Sequence, residues 1–236
     1  TVTVVGTNDG PVIGGETTGA VVEAGGLENA ETGKPEVSGQ LTIVDPDSGE
    51  SSFREPEAAA LEGTYGTFTF DAETGAWSYT LDNERAATQA LTAGEEVTEA
   101  LEVTSLDRTA SETITVTVTG SNDVPEVSHG SGTLTEVEDL DAASNLTIGG
   151  QLAIEDPDAG ESQFDPTTLT FVSSSHGDGP LGTLEVAADG TWSYRVANDA
   201  VQWLSAGEEL APGWAVDSLG GTATSPLFAL TEVEQW

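Results

Sequence analysis

Along most of this chain, apolar residues stand at every second position: Val2 and Val4; Leu41 and Ile43; Phe68 and Phe70; Trp77, Tyr79 and Leu81; Leu101 and Val103; Ile114, Val116 and Val118. Thr, Ser and Glu fill the places between them, a period of two that belongs to strands with one buried and one wet face. Gly, Asn, Asp and Pro break the runs, as the turns of an antiparallel sandwich require. The expected strands of the first half cover about 12–23, 37–44, 64–71, 76–82, 97–106 and 112–119, with an irregular segment after residue 82 where one more strand of a sandwich is due. Helical patterns are brief and confined to NERAATQALTAGEE (83–96) and NDAVQWLSAGEE (198–209). The fold class is therefore all-β. The turns DAETGA (71–76) and DG (189–190) each sit between aromatic-rich runs and predict hairpins.

The pattern is written twice. TVTVVGTNDGPV (1–12) returns as TVTVTGSNDVPE (115–126), and TIVDPDSGES (42–51) as AIEDPDAGES (153–162). GTFTFDAETGAWSYTLDN (66–83) returns as GTLEVAADGTWSYRVAND (182–199), LTAGEEV (91–97) as LSAGEEL (204–210), and VTSLDRTAS (103–111) as VDSLGGTAT (216–224). Offsets of 111 to 116 residues are domain-sized and exclude a short solenoid repeat. Two tandem β-sandwiches are expected: residues 7–121 as the first, 122–236 as the second, with 1–6 as the last strand of a preceding repeat or a linker. The start at Thr-Val-Thr-Val and the absence of Met suggest a piece of something longer, whose secretion is directed by another part.

Charge changes the picture. The 236 residues carry 42 acids against 5 bases, and both halves share the excess, with net charges of −18 up to residue 120 and −19 beyond it. Such a surface repels nucleic acid and anionic membranes, and it repels itself unless cations offset it. With no Cys there is no disulfide, thiolate zinc site or thiol nucleophile. General solubility in a salty medium explains acidity as such. It does not explain why particular acids recur at fixed places.

Strands that alternate in direction sort those acids by the end of the domain they occupy. Asn8 and Asp9 precede the first strand and Asp45 and Asp47 follow the second, so these four belong at one end. Glu23 follows the first strand, Asn122 and Asp123 follow the last, and Glu95 and Glu96 sit in a turn expected at that opposite end. The second repeat, with its own Asp156 and Asp158, begins there. Calcium takes six to eight oxygens from carboxylates and carbonyls at about 2.3–2.6 Å, and a convergent set of such groups is repulsive without a cation. The expected cofactor is Ca2+, held at a seam between the repeats, with plain solvated turns as the alternative. In the DPD turn, Pro46 stiffens the backbone and Gly49 relieves it.

Taken together, TVTVTGSND, DPDAGES, GTFTFDAETGAWSYTLDN, LTAGEE and VTSLDRTAS resemble the VCBS repeat, a bacterial Ig-like or cadherin-like module found in tandem in giant repeats-in-toxin surface adhesins. The likeness covers nearly all of the first repeat and most of the second. It implies two tandem Ig-like/cadherin-like sandwiches serving as a secreted, calcium-loaded extender on the bacterial cell surface, exported by type I secretion and supporting adhesion and biofilm formation. The Asp-x-Asp-x-Gly loop resembles the cadherin calcium loop at Asp45, Asp47 and Gly49, and again at Asp156, Asp158 and Gly160. Two departures stand out. Arg108 occupies a turn position where the family has Gly, and Gly220 replaces the Asp of the same turn in the second repeat.

No enzyme is expected. His129 and His176 lie in Gly/Ser-rich loops without partners, and no G-x-S-x-G, H-E-x-x-H or phosphate-binding stretch occurs. The pairs Trp77/Tyr79 and Trp192/Tyr194 could stack sugars, but residues at i and i+2 share a strand face, which favours core packing. The expected partners are neighbouring repeats of the same chain, with no nucleic acid, no membrane insertion and a monomeric state. The alternative is a ligand-binding module for a host or surface glycan or protein, carried by the divergent second repeat with its longer loop SSSHGDGP (173–180) and its ending SPLFALTEVEQW.

Overall fold

The computed structural model describes residues 1–26, 29–134, 140–175, 179–205 and 211–228. His176 within the 173–180 loop, residues 206–209 of the second helical pattern and the ending from 229 lie outside them. The chain forms two compact units, Thr1–Asp123 and Val124–Trp236, each around its own hydrophobic core. Among the described residues no helix is long and apolar enough to cross a membrane.

In the first unit, β1 (Val12–Gly15), β2 (Thr18–Val22) and β3 (Glu36–Val44) are followed by a four-residue helix α1 (Ala58–Leu61). Then come β4 (Gly66–Phe70), β5 (Ala76–Leu81), the short α2 (Ala86–Gln89), β6 (Glu96–Thr104) and β7 (Ser111–Thr119). One sheet has the order β1-β3-β5-β4 and the other β2-β7-β6. The expected first strand is thus two strands in two sheets. Its alternation is interrupted by Gly-Gly-Glu-Thr-Thr: Glu16 still donates its N–H to Gln40 (2.9 Å), whereas the carbonyl of Thr17 already accepts from Thr115 (2.8 Å). Gly15 makes the break in the left-handed region at φ +107°, and the indole N–H of Trp77 holds it by donating to the Glu16 carbonyl at 2.8 Å. β2 then runs parallel to β7.

The irregular segment also lies elsewhere than expected. β3 and β4 both pair antiparallel with β5, so they point the same way and the chain between them must travel back along the whole unit. That return, residues 45–65, carries only α1 and two isolated bridges, Phe53 with Ser105 and Glu62 with Thr67. The strand is missing there, before β4, and not after residue 82.

The second unit repeats the plan with β8 (Glu126–Val127), β9 (Asn145–Gln151), β10 (Ile154–Glu155), β11 (Phe164–Ser174), β12 (Thr183–Val186), β13 (Thr191–Ala197), α3 (Asn198–Val201), β14 (Pro212–Ser218) and β15 (Thr224–Phe228). Its sheets are β12-β13-β9, β11-β14-β15 and the small pair β10-β8. Here β11 supplies the strand that the first unit lacks.

Both predicted hairpins form, with Phe70 opposite Trp77 and Val186 opposite Trp192. Trp77, Tyr79, Trp192 and Tyr194 are all buried, and Phe68 packs edge-on against Tyr79 with centroids 4.7 Å apart. These rings are core, not a sugar platform. The two tyrosines differ in one respect. The Tyr194 hydroxyl donates to the Leu181 carbonyl, and burial pushes its pKa up to about 12. The equally buried hydroxyl of Tyr79 has no hydrogen-bond partner. Removing an orphaned buried hydroxyl is neutral or favourable, whereas removing a bonded one leaves its partner unsatisfied at a cost of about 1–3 kcal/mol. Tyr79→Phe should therefore leave unfolding free energy unchanged or raise it, and Tyr194→Phe should lower it by about 1 kcal/mol or more. Chemical denaturation of the two variants checks this, and equal losses would overturn the contrast.

Candidate metal centre

β3 delivers its last residue into Asp45-Pro46-Asp47-Ser48-Gly49-Glu50-Ser51, a loop wrapped around its own side chains. The Asp47 N–H donates to Asp45 Oδ1 (2.8 Å) and the Asp45 N–H to Ser51 Oγ (3.0 Å), while Glu50 N–H reaches back to the Asp47 carbonyl (3.3 Å). Gly49 closes the turn at φ +89°, a conformation that L side chains disfavour. The recurring motif is thus a local device that turns the chain and presents carboxylates.

Two other segments meet this loop. From the start of the chain, the Asp9 N–H donates to Asp47 Oδ2 at 2.7 Å and the Asn8 side chain donates to Asp107 Oδ2 at 2.9 Å. From the β6–β7 turn, Asp107 is fixed by Ser105 Oγ (2.6 Å), by the Thr109 N–H (3.1 Å) and by the Thr109 hydroxyl. Asp45, Glu50 and Asp107 each bring a carboxylate oxygen within 4.8 Å of the other two. Asp45 is 8 % exposed, and its Oδ2, like Oε2 of Glu50, accepts no hydrogen bond.

The electrostatics follow from these contacts. Desolvation, then the charges of Asp45, Asp47 and Asp107, push the Glu50 carboxyl above its ordinary range. Hydrogen bonds from Ser105, Thr109 and Asn8 hold the Asp107 carboxyl well below its own. Hard oxygen donors, a buried oxygen without a donor and an acid pressed toward protonation by its neighbours together suit a hard divalent cation.

The structure therefore gathers Asn8, Asp9, Asp45 and Asp47 at one end of the first unit. It adds Glu50 and Asp107, which sequence reasoning did not single out. The signals were present: Glu50 recurs as Glu161 within the doubled motif, and Asp107 occupies the turn position that becomes Gly220.

At the opposite end Glu23 is fully buried. It accepts from Gln89 Nε2 (3.0 Å) and the Ser121 N–H (3.2 Å). Asn122 and Asp123 lie beside it: the Gly26 N–H donates to the Asn122 carbonyl (2.8 Å), and Gly26 bridges Asp123, which is 3 % exposed. Glu95 caps its own turn through Thr92 (3.2 Å), and Glu96 opens β6 as an exposed residue.

In the second unit the motif has the same scaffold, with Asp158 N–H on Asp156 Oδ1 (3.0 Å), Asp156 N–H on Ser162 Oγ (3.0 Å) and Gly160 at φ +83°. Oδ2 of Asp156 has no hydrogen-bond partner, and burial raises its pKa against the opposing Asp158 N–H. The β14–β15 turn keeps the backbone of its counterpart, with Gly221 at φ +71° where Arg108 has +70°, but Gly220 brings no carboxylate.

Residues 8–120 match the family model for the bacterial cadherin-like domain. That cadherin-like segment contains every residue of the Asp45–Glu50–Asp107 cluster. No curated protein matches the chain. Among solved structures, the protocadherin GammaB4 extracellular domain is 20 % identical with a TM-score of 0.45, over 94 % of this chain and 34 % of that one. Human protocadherin-24 EC1-2 is 13 % identical with a TM-score of 0.43, over 98 % of this chain and 100 % of that one. Titin domains I67–I69 are 8 % identical with a TM-score of 0.31, over 94 % and 65 %. The chain spans about a third of the protocadherin GammaB4 chain and about half of a protocadherin gammaB7 EC3-6 chain.

Two opposed titrations follow for protein kept in chelator. A raised folded pKa means that Glu50 binds its proton more tightly when folded, so stability rises as pH falls through that pKa and the gain is complete below the unfolded value near 4.3. A lowered folded pKa means that Asp107 contributes stability above the unfolded value near 3.9 and loses it as pH falls through the folded one. Denaturation from neutral to acid pH should show the first gain in wild type but not in Glu50→Gln, and the later loss in wild type but not in Asp107→Asn. Parallel curves for wild type and Glu50→Gln would sink the assignment.

Proposed function

We propose that the chain is a calcium-binding extender module of a secreted bacterial surface adhesin, of the kind resembling VCBS repeats in repeats-in-toxin proteins. The cadherin-like match supports an adhesion or extender role. The observation that carries the metal reading is the buried, unpartnered Oδ2 of Asp45 in a residue that clusters with Glu50 and Asp107. Asp45, Glu50 and Asp107 would hold the ion, with Asn8, Asp9 and Asp47 completing and bracing the surround. Bound calcium supplies positive charge where three carboxylates otherwise repel, and it ties the segment before β1 to the β3 loop and the β6–β7 turn. Glu23, Asn122, Asp123, Asp156 and Asp158 are proposed as further ligands. Catalysis has no place in this reading, since the clustered acids are bound up in turns and carry no nucleophile.

Extracellular calcium modules have dissociation constants of about 0.1–1 mM, so ~10 mM ion stabilises the folded state by about 1.4–2.7 kcal/mol per site. Thermal scans in calcium and in chelator at matched ionic strength should separate by several degrees, with magnesium less effective. Glu50→Gln should narrow the gap, and because the Glu50 Oε2 has no partner to lose, it should not weaken the chelated protein. Coincident midpoints in calcium and chelator remove the metal reading. The extender role adds that calcium narrows the pair-distance distribution in small-angle scattering, an effect that Asp156→Ala with Asp158→Ala should abolish. An unchanged distribution would leave calcium binding without a stalk.

A further inference from the structure

The two units differ most along one sheet edge. In the second, β11 lies antiparallel on β14, with Phe164 opposite Ser218, Asp165 opposite Asp217, Thr170 opposite Ala215 and Phe171 opposite Trp214. The counterpart of β14 in the first unit is β6, and there only the opening of that pairing is made. Phe53 bridges Ser105, and the Arg54 N–H donates to the Thr104 carbonyl at 2.9 Å. Pro56 and α1 follow, and although α1 still lies near β6, no further ladder pairing is made. Its length explains why: Phe53 to Gly66 is 13 positions, whereas Phe164 to Gly182 is 18. Five residues, about 16 Å of extended chain, are missing from the return.

What remains is an open strand edge beside a groove. Thr104 accepts from Arg54 and the Leu106 N–H donates to Ser52 (3.0 Å), so even-numbered residues of this stretch turn their backbone groups away from β7. By the alternation of an antiparallel ladder, Glu102 and Ala100 do the same. No backbone hydrogen bond joins either of them to the 54–63 segment. The groove between that segment and β6 has a volume of about 480 Å³ and is lined by Arg54, Glu55, Glu57, Glu102, Thr104 and Arg108, among others.

Two of the chain's five bases are in this groove. Arg85 is committed to Glu62 and Asp82 (3.2 and 3.1 Å), Arg195 approaches Asp141 (3.7 Å), and Lys34 donates to the Ala20 carbonyl (2.9 Å). Arg54 and Arg108 join no ion pair among the described residues, in a chain with 42 acids. Glu55, Glu57 and Glu102 line the same groove but none stands within ion-pair distance of either guanidinium, and uncommitted guanidinium groups beside an open strand edge are suited to a guest that brings both a backbone and an acid.

We propose that the outer edge of β6 is a strand-addition site for an extended segment of a partner protein, its backbone pairing with Ala100 and Glu102 and an acidic side chain meeting Arg54 and Arg108. The homologous edge of the second unit shows the guest's form, a strand of apolar and hydroxyl residues. A second copy's β6 is a poor guest, because antiparallel self-pairing centred on Glu99 sets the exposed Glu96 against Glu102. A guest antiparallel to β6 starts at the Thr104 end, where the arginines are. Its acid belongs at its N-terminal end, clear of Glu102.

Two capped peptides based on Thr168–Ser174 of β11 test this on the isotope-labelled full chain at a fixed calcium concentration: DLTFVSS and KLTFVSS. DLTFVSS should shift the Ala100 and Glu102 amide resonances and slow their hydrogen exchange, and KLTFVSS should bind roughly tenfold more weakly for want of a charge-assisted pair. Arg54→Gln with Arg108→Gly should erase the difference. Gly suits the second site because Gly221 holds the same left-handed turn. Equal binding of the two peptides, shifts away from β6 or no shifts at all would overturn the proposal. Concentration-dependent shifts at Ala100 and Glu102 without peptide would overturn it too, by showing a second copy as the occupant.

Discussion

Three carboxylate oxygens held within 4.8 Å of one another at the end of the first unit are a source of repulsion that the fold maintains. Like charges this close repel, and solvent and counter-ions reduce that cost without removing it. The chain could have avoided this cost by turning one carboxylate outward. Instead Asp107 is locked by Ser105, Thr109 and Asn8, and Asp45 is buried. The result is a preorganised set of anions whose mutual repulsion is the free energy available to a cation.

That arrangement depends on the split of the first strand. A strand confined to one sheet could satisfy one sheet edge only. By crossing between Glu16 and Thr17, the chain pairs β1 with β3 and β2 with β7. It thereby anchors residues 8 and 9 beside the Asp45 loop and Glu23 beside Ser121. Trp77 joins the two functions: its ring fills the core, and its N–H secures the crossing. Packing and placement of the acids are therefore consequences of the same residue.

Much of this could be read in the sequence, and the limits have physical causes. Alternation revealed β5 at Trp77-Ser78-Tyr79 and the hairpin before it, because side-chain period and turn chemistry are local properties. The sorting of Asn8, Asp9, Asp45 and Asp47 to one end also followed from strand direction. Local pattern cannot say which sheet a strand joins, so Val12–Val22 read as one strand. Nor can it distinguish a missing strand before β4 from one after β5, since β3 and β4 run the same way only because both flank β5. Glu50 and Asp107 escaped notice for the same reason: their proximity is made by a loop and a turn 57 positions apart.

The second unit separates constraints that coincide in the first. Arg108 and Gly221 hold the same left-handed turn at φ +70° and +71°, although the preceding residue is Asp107 in one and Gly220 in the other. The backbone of the β6–β7 turn therefore does not need the carboxylate, and the carboxylate is not there to build the turn. A left-handed Arg is strained relative to Gly by roughly 1–2 kcal/mol, so the first unit keeps a side chain at 108 that the turn itself disfavours. That side chain and Arg54 line the same groove on an edge without its strand, where the proposed guest would use both. In the second unit β11 covers the edge, and Gly stands at the turn instead. The uncovered edge and the strained arginine occur in the same unit, which fits an edge open to another chain.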